Sequence, residues 1–273
     1  MSGRKSKGSR SNYMKIKTIV DYLDNRFPHE LASDIDYEKL GLVIGDEELE
    51  LKNILLALDL NLEVLHEAIN FGVNLIIAHH PFIFRPLTKI HFRDKYGKIL
   101  ELMFEKKISL YVAHTNLDVG KGGVNDTLAR LLGIQDLNHE FAKDSFLRYG
   151  KIKAVFLKDL ARQVKEKLGL SGLRVAGNPD QLIRYIGIVG GSGGRESDID
   201  LALALGLDCY ITSEVKLSAA QKAVENNLAI IEIDHGVEKF VFVSLAEELK
   251  EEFMLEGRIK VSEIDPDPFV TMK

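Results

Sequence analysis

Apolar positions change period repeatedly along this chain. IKTIVDYLDNRF (16–27) spaces Ile16, Ile19, Val20 and Leu23 at helical intervals, whereas NILLALDL (53–60) is the continuous apolar run of a buried strand. NLEVLHEAINFG (61–72) returns to the helical period and stops at Gly72, a glycine C-cap. The same reading predicts strands at 73–80, 108–115, 151–157, 184–191, 208–212 and 228–234. It predicts helices at 96–107, 124–133, 158–169, 196–206, 214–227 and 236–253. Short apolar strands alternating with helices predict an α/β fold: mainly parallel sheets covered by helices. The rhythm breaks over the polar stretch 135–150, the candidate boundary between two lobes.

Three predicted strands run into histidine. VNLIIA leads to His79 and His80, ISLYVA to His114, and LAIIEID to His235. Ligands of open α/β sheets sit beyond the carboxyl ends of strands. Neighbouring residues of a strand face opposite ways, so adjacent imidazoles at a tip can straddle one centre. Asp118 follows His114 by four residues, in a segment too glycine-rich beyond it for a regular helix. Glu238 follows His235 by three, on the same face of a first helical turn. His29, His66, His91 and His139 lack such a carboxylate at comparable spacing, and surface roles suffice for them.

Composition narrows the chemistry of such a cluster. Cys209 is the lone cysteine, which excludes an intrachain disulfide and multi-cysteine zinc sites. Histidine with carboxylate suits zinc, iron, manganese, nickel or cobalt alike. The net charge of −5 argues against a broad nucleic-acid surface, since such affinity comes from lysine and arginine neutralising phosphates. No apolar run reaches the roughly 20 residues of a membrane span. No charged start leads into a signal segment, so the expectation is a cytoplasmic protein. Residues 1–13, basic and rich in serine and glycine, read as an expression tag or disordered tail before a natural start at Met14.

Two further segments carry candidate chemistry. VGGSGGRES (189–197) lies between a strand and a helix, where Gly191, Ser192 and Gly193 are candidates for cradling an anion. The purely steric reading of those glycines is the stronger one. At the next strand end, Glu214 is a candidate proton carrier or partner of a ligand, and Lys216 a candidate anion contact. Ser213 and Glu214 read equally well as the cap of the following helix.

IIAHHPFIFRPLTKI, YVAHTNLDVGKGGVNDTLARLLG and IVGGSGG resemble the signature segments of the NIF3-like proteins, also called dinuclear metal centre proteins or GTP cyclohydrolase 1 type 2 homologues. The resemblance runs from Met14 over nearly the whole chain and is to the short form without a mid-chain insert. It implies two interlinked α/β lobes, one of residues 14–134 with 235–273 and one of residues 135–234. It also implies a ring-shaped homohexamer and two divalent metal ions in each subunit. By motif, His79 and His235 bind one ion and His80 and Asp118 the other, Glu238 bridging, with His114 beside them. The chain departs from the family pattern in three places. DHGVEK has three residues from histidine to glutamate where the family has four, Lys216-Leu217-Ser218 replaces a histidine pair, and YEKLGL stands for an Asp-Asn-x-Gly-Leu element.

The expected function is a metal-dependent hydrolase of a nucleotide-like or phosphorylated small molecule, with His114 or Glu214 moving a proton. GTP ring opening is not part of that expectation, because one cysteine away from the histidines cannot build a cysteine-ligated zinc site. The alternative is a non-catalytic metal-binding scaffold or regulator acting through protein or nucleic-acid partners.

Overall fold

The computed structural model describes residues 13–138, 143–265 and 267–269. The first twelve residues of the expected tail and His139 lie outside them. The first sheet contains β1 (Gly41–Ile44), β2 (Asn53–Ala57), β3 (Val73–Ala78), β4 (Ser109–Val112) and, from the far end of the chain, β11 (Ile259–Val261). Its order is β1-β4-β3-β2-β11, parallel throughout except for β1 against β4. The second sheet contains β5 (Gln135–Asn138), β6 (Arg148–Phe156), β7 (Arg174–Ala176), β8 (Leu182–Ile188), β9 (Cys209–Thr212) and β10 (Ala229–Glu232). Its order is β5-β6-β8-β9-β10-β7, with parallel pairing confined to the β8-β9-β10 centre.

Helices α1 (Ile16–Arg26), α2 (Leu62–Asn70), α3 (Lys95–Lys106), α4 (Thr115–Val119), α5 (Val124–Leu132), α6 (Leu157–Lys167), α7 (Glu196–Ala204), α8 (Leu217–Glu225) and α9 (Val241–Phe253) cover the sheets. Strand alternation divides the burial between two cores. Leu75 and Ile77 of β3 enter a core that also holds Ile186, Ile188 and Ile211 of the second sheet. Their neighbours Ile76 and Ala78 pack on the opposite side with Leu65 of α2 and Ile99 and Met103 of α3. The apolar faces of α1, α5, α6 and α9 fill the space between the sheets. On the outer side of the second sheet, Tyr210 and Ile230 meet Ile199 of α7 and Ala219 of α8. Every residue of β3 is therefore buried, which explains why its sequence is apolar except for Asn74, whose side chain accepts from the Lys52 N–H and donates to the Glu50 carbonyl (both 2.8 Å).

The strands that periodicity passes over are the sheet edges. β1, β5, β7 and β11 bound the two sheets; β5 and β7 are mostly exposed and partly polar, and β1 and β11 are short and only partly buried. An edge strand is covered on fewer sides, so polar residues cost little there and the pattern fades. Two helix expectations also shift. The helix read at 214–227 begins only at Leu217, and the one read at 236–253 opens as a 3-10 helix, His235–Phe240, before α9. Gly133 (φ 80°) closes α5 in the left-handed conformation that glycine adopts freely. Among the described residues no helix is long and apolar enough to cross a membrane.

Candidate metal centre

The carboxyl ends of β3, β4 and β10 bring their histidines to one place. His79 and His80 continue the ladder beyond β3, donating their backbone N–H groups to the carbonyls of Ala57 (3.2 Å) and Leu58 (2.9 Å). The pleat then turns the buried His79 and the half-buried His80 to two sides of the centre, with ring centroids 5.0 Å apart. Asp118 sits within α4, a short helix at a place where the glycines downstream predict an irregular turn. The glycines begin only at Gly120, after the helix has closed, so they end it without preventing it. Asn125 holds the Asp118 carbonyl (3.1 Å) and Arg148 the Val119 carbonyl (2.7 Å).

His235 and Glu238 lie in the 3-10 helix. Three residues make one turn of a 3-10 helix, so these side chains eclipse and point the same way. Nε2 of His235 is 3.2 Å from Oε2 of Glu238. The spacing that departs from the family pattern thus still serves the centre, through a tighter helix.

Oε2 of the buried Glu238 is also 3.1 Å from Nε2 of His80 and 3.5 Å from Nε2 of His79. Nε2 of His79 stands 3.4 Å from Oδ1 of Asp118. Bonds of about 2.0–2.2 Å to a tetrahedral ion separate its ligand atoms by roughly 3.3–3.6 Å; the two contacts of His79 fall in that range, and those of His80 and His235 with Glu238 lie just below it. The side chains form three close groups: His79 with Asp118 and Glu238, His80 with His235 and Glu238, and His79 with His80 and His114. In these groups His79 stands with Asp118 and His80 with His235, an arrangement that differs from the pairing that the resemblance implies. The reason is positional: α4 follows β4, the neighbour of β3, so Asp118 reaches the inward-facing His79.

The donor set fits a cation. His79 donates Nδ1–H to the Ala113 carbonyl (2.8 Å), which leaves Nε2 as a bare lone pair. That nitrogen and Oδ1 of Asp118 are buried without a hydrogen-bond partner among the described residues, although each faces the other. Burial lowers the pKa of His79, so a proton is disfavoured on the atom that faces two carboxylates. Burial, followed by repulsion from Glu238, raises Asp118 well above the usual carboxylate range. For Glu238 burial works the same way, but contacts with His79, His235 and His80 outweigh it and pull the group well below that range.

Each remaining imidazole is anchored through Nδ1. His80 meets Asp59 (3.0 Å), His235 meets Glu214 (2.7 Å) and His114 meets Asp36 (2.7 Å). Outer carboxylates of this kind fix ring orientation and tautomer around metal sites. Burial opposes charge on His80, yet its bonds to Asp59 and Glu238 push its pKa up to about 10. The bond to Glu238 leads in raising His235 to about 9. Those protons occupy the space between nitrogen and carboxylate that a cation would take, and binding one would release them.

Glu214 adopts positive φ (55°), and its carboxylate goes to His235 instead of capping α8. Gly191 explains part of the glycine-rich turn. A Cβ there would lie 2.3 Å from Oε1 of Glu238 and 3.3 Å from Nε2 of His235, and its φ is +70°. Backbone packs directly on the centre at this point, which only glycine permits. The N–H of Gly193 is taken by the Gly191 carbonyl (3.0 Å), while Ser192 and Lys216 are exposed on the wall of a cleft of about 1440 Å³. His80, His114, Asp118, His235 and Glu238 also line this cleft. Of the other described histidines, His29 pairs with Asp24 (3.2 Å), and neither it nor His66 nor His91 joins the cluster.

Asp59 and Asp36 are the site residues that sequence reading missed. Asp59 does follow the apolar run of β2, a signal of the same kind as the histidines gave. Asp36 sits among short 3-10 turns and has no such signal.

Comparison with known proteins bears on the family and the fold. Residues 14–268 match the family described as Duf34/NIF3 (NGG1p interacting factor 3). A protein of Clostridium perfringens named GTP cyclohydrolase 1 type 2 homolog is 33% identical over 263 residues, covering 94% of this chain and 99% of its own length. A Bacillus cereus protein described as related to NIF3 superposes with a TM-score of 0.87 at 26% identity, over 96% of this chain and 100% of its own. A Staphylococcus aureus hypothetical protein gives 0.86 at 29% identity, again over 96% and 100%.

Proposed function

Because this chain belongs to the Duf34/NIF3 family, we propose that its histidine and carboxylate cluster is a dinuclear metal centre serving a hydrolase of a nucleotide-like or phosphorylated small molecule. His79 and Asp118 would hold one divalent ion, His80 and His235 the other, and Glu238 would be shared. Bound there, such cations lower the pKa of water and polarise a scissile carbonyl, C=N or phosphoryl group. The supporting observation is the single oxygen of Glu238 facing three Nε2 atoms at 3.1–3.5 Å. A nitrogen and oxygen donor set suits zinc, iron, manganese, nickel and cobalt alike.

The chain's own residues have separate tasks in this reading. Asp59 and Glu214 hold His80 and His235 in register through their Nδ1 atoms. His114, at the cleft wall outside the two carboxylate groupings, accepts and returns a proton. Lys216 and Ser192, with the turn shaped by Gly191 and Gly193, meet the anionic part of the substrate. The ring-shaped homohexamer belongs to the same reading, and light scattering coupled to gel filtration checks it.

Metal analysis of the native protein and His80→Ala tests the centre, followed by a hydrolase screen with added manganese, zinc or iron. The native chain should retain close to two ions per subunit and the variant should lose at least one. Equal metal content removes His80 from the site. A metal-loaded protein inert towards phosphate esters, nucleotides and cyclic amides rejects the hydrolytic half.

A further inference from the structure

His114 differs from the other histidines of the cluster in its surroundings. One of its ring nitrogens lies within 4.8 Å of those of His79 and His80, yet it joins no grouping that contains a carboxylate ligand. Its Nδ1 instead meets Oδ2 of Asp36 at 2.7 Å. That oxygen also accepts from the Thr115 hydroxyl (2.9 Å), and Thr115 Oγ1 accepts from the backbone N–H of Ser33 (3.0 Å). Asp36 is fully buried, and among the described residues its other oxygen has no hydrogen-bond partner and lies 3.5 Å from the Lys39 ammonium. A carboxylate withdrawn from water in this way is costly unless its partners need it.

We infer that Asp36 is a positioning residue for His114: it accepts the Nδ1 hydrogen and so fixes Nε2 as the bare, proton-accepting nitrogen at the cleft wall. What His114 then does rests on the hydrolytic reading, whereas the tautomer is measurable without turnover. In that reaction a water in the cleft gives a proton to Nε2 as its oxygen bonds to the scissile carbon or phosphorus, and the same proton passes to the leaving group as the bond from that atom to it breaks. Asp36 stays ionised and stabilises the imidazolium in between, the role a buried carboxylate plays behind a catalytic histidine. Burial alone would raise the pKa of Asp36, but its bonds to His114 and Thr115 hold it below the usual range, consistent with an ionised acceptor.

Long-range proton–nitrogen spectra of the zinc-loaded, histidine-labelled protein test this, with His114→Gln identifying the ring signals by their disappearance. The wild type should show His114 protonated at Nδ1 only. Asp36→Ala should shift it to the Nε2–H form or a mixture at unchanged zinc content, and Thr115→Val should leave it as it was. His114→Gln should keep its metal. An Nε2–H ring in the wild type, an unaltered pattern in Asp36→Ala, or zinc lost from either variant overturns the inference. If Asp36→Ala does not fold, the wild-type pattern decides alone, Nδ1–H sustaining the assignment and Nε2–H refuting it. A protein with the expected spectra and no hydrolytic turnover retains the positioning role and refutes only the reaction.

Discussion

Nε2 of His79 and Oδ1 of Asp118 stand 3.4 Å apart in the interior, and neither has a hydrogen-bond partner among the described residues. A lone pair and an ionised carboxylate facing one another repel, and burial already raises the pKa of Asp118, so a proton relieves the pair when no ion is bound and a cation between the two atoms takes its place. Asp118→Asn keeps the shape and removes the charge. It should lose the ion held with His79 and keep the one held by His80 and His235, halving the metal content measured on the purified protein. Unchanged content would place Asp118 outside the ligand set.

Removing metal should destabilise the fold because the ions bind only the folded arrangement that gathers the buried Glu238 and Asp118 with the histidines. A ligand present at 100 times its dissociation constant stabilises by about 2.7 kcal/mol. For a chain of this size that corresponds to roughly 5–10 °C in melting temperature. Calorimetry of native, chelator-treated and reloaded protein should show that fall and its recovery. A melting temperature indifferent to chelation would contradict a structural role for the ions.

Gly191→Ala tests the close approach of the glycine-rich turn. Its Cβ would fall 2.3 Å from Oε1 of Glu238 at a φ of +70°, whereas a Cβ at Gly206, with φ +69°, would meet nothing within 4 Å. Gly206→Ala therefore carries the backbone strain alone, about 1 kcal/mol. Gly191→Ala should cost more than this in chemical denaturation and should also reduce metal retention, which Gly206→Ala leaves intact. Equal effects of the two substitutions would mean that the turn does not press on Glu238.

How far the sequence speaks for this site depends on where each residue lies. His79, His80, His114 and His235 interrupt apolar runs at strand ends, and topology turns such positions towards one centre. The central strands are legible for the same reason, being buried on both faces, while edge strands such as β5 and β7 carry too many polar residues to register. Partnerships are less visible. Asp59 meets His80 across 21 residues and Asp36 meets His114 across 78, and no local period encodes such a distance. The grouping of His79 with Asp118 depends on strand order, which the spacing of residues along the chain does not contain.

A pH-dependent contribution to stability should come from the contact between α1 and α9, remote from the cluster. Glu248 accepts from the Arg26 Nε (2.7 Å) and from the Tyr22 hydroxyl (2.7 Å). Burial alone would raise its pKa, but these bonds outweigh it and hold the group below the ordinary value of 4.5. A carboxyl depressed in the folded state stabilises above its unfolded pKa, and that contribution disappears as pH falls through the folded one. Tyr22 has the opposite sign. Burial first, then its bond to Glu248, raises it from 10.0 to about 12, so its contribution is complete below 10 and fades between 10 and 12. Glu248→Gln should therefore lower the urea midpoint at pH 7, and the gap from wild type should close as both are taken below pH 4. A gap that stays constant down to pH 3 would show that the side chain contributes packing and not charge.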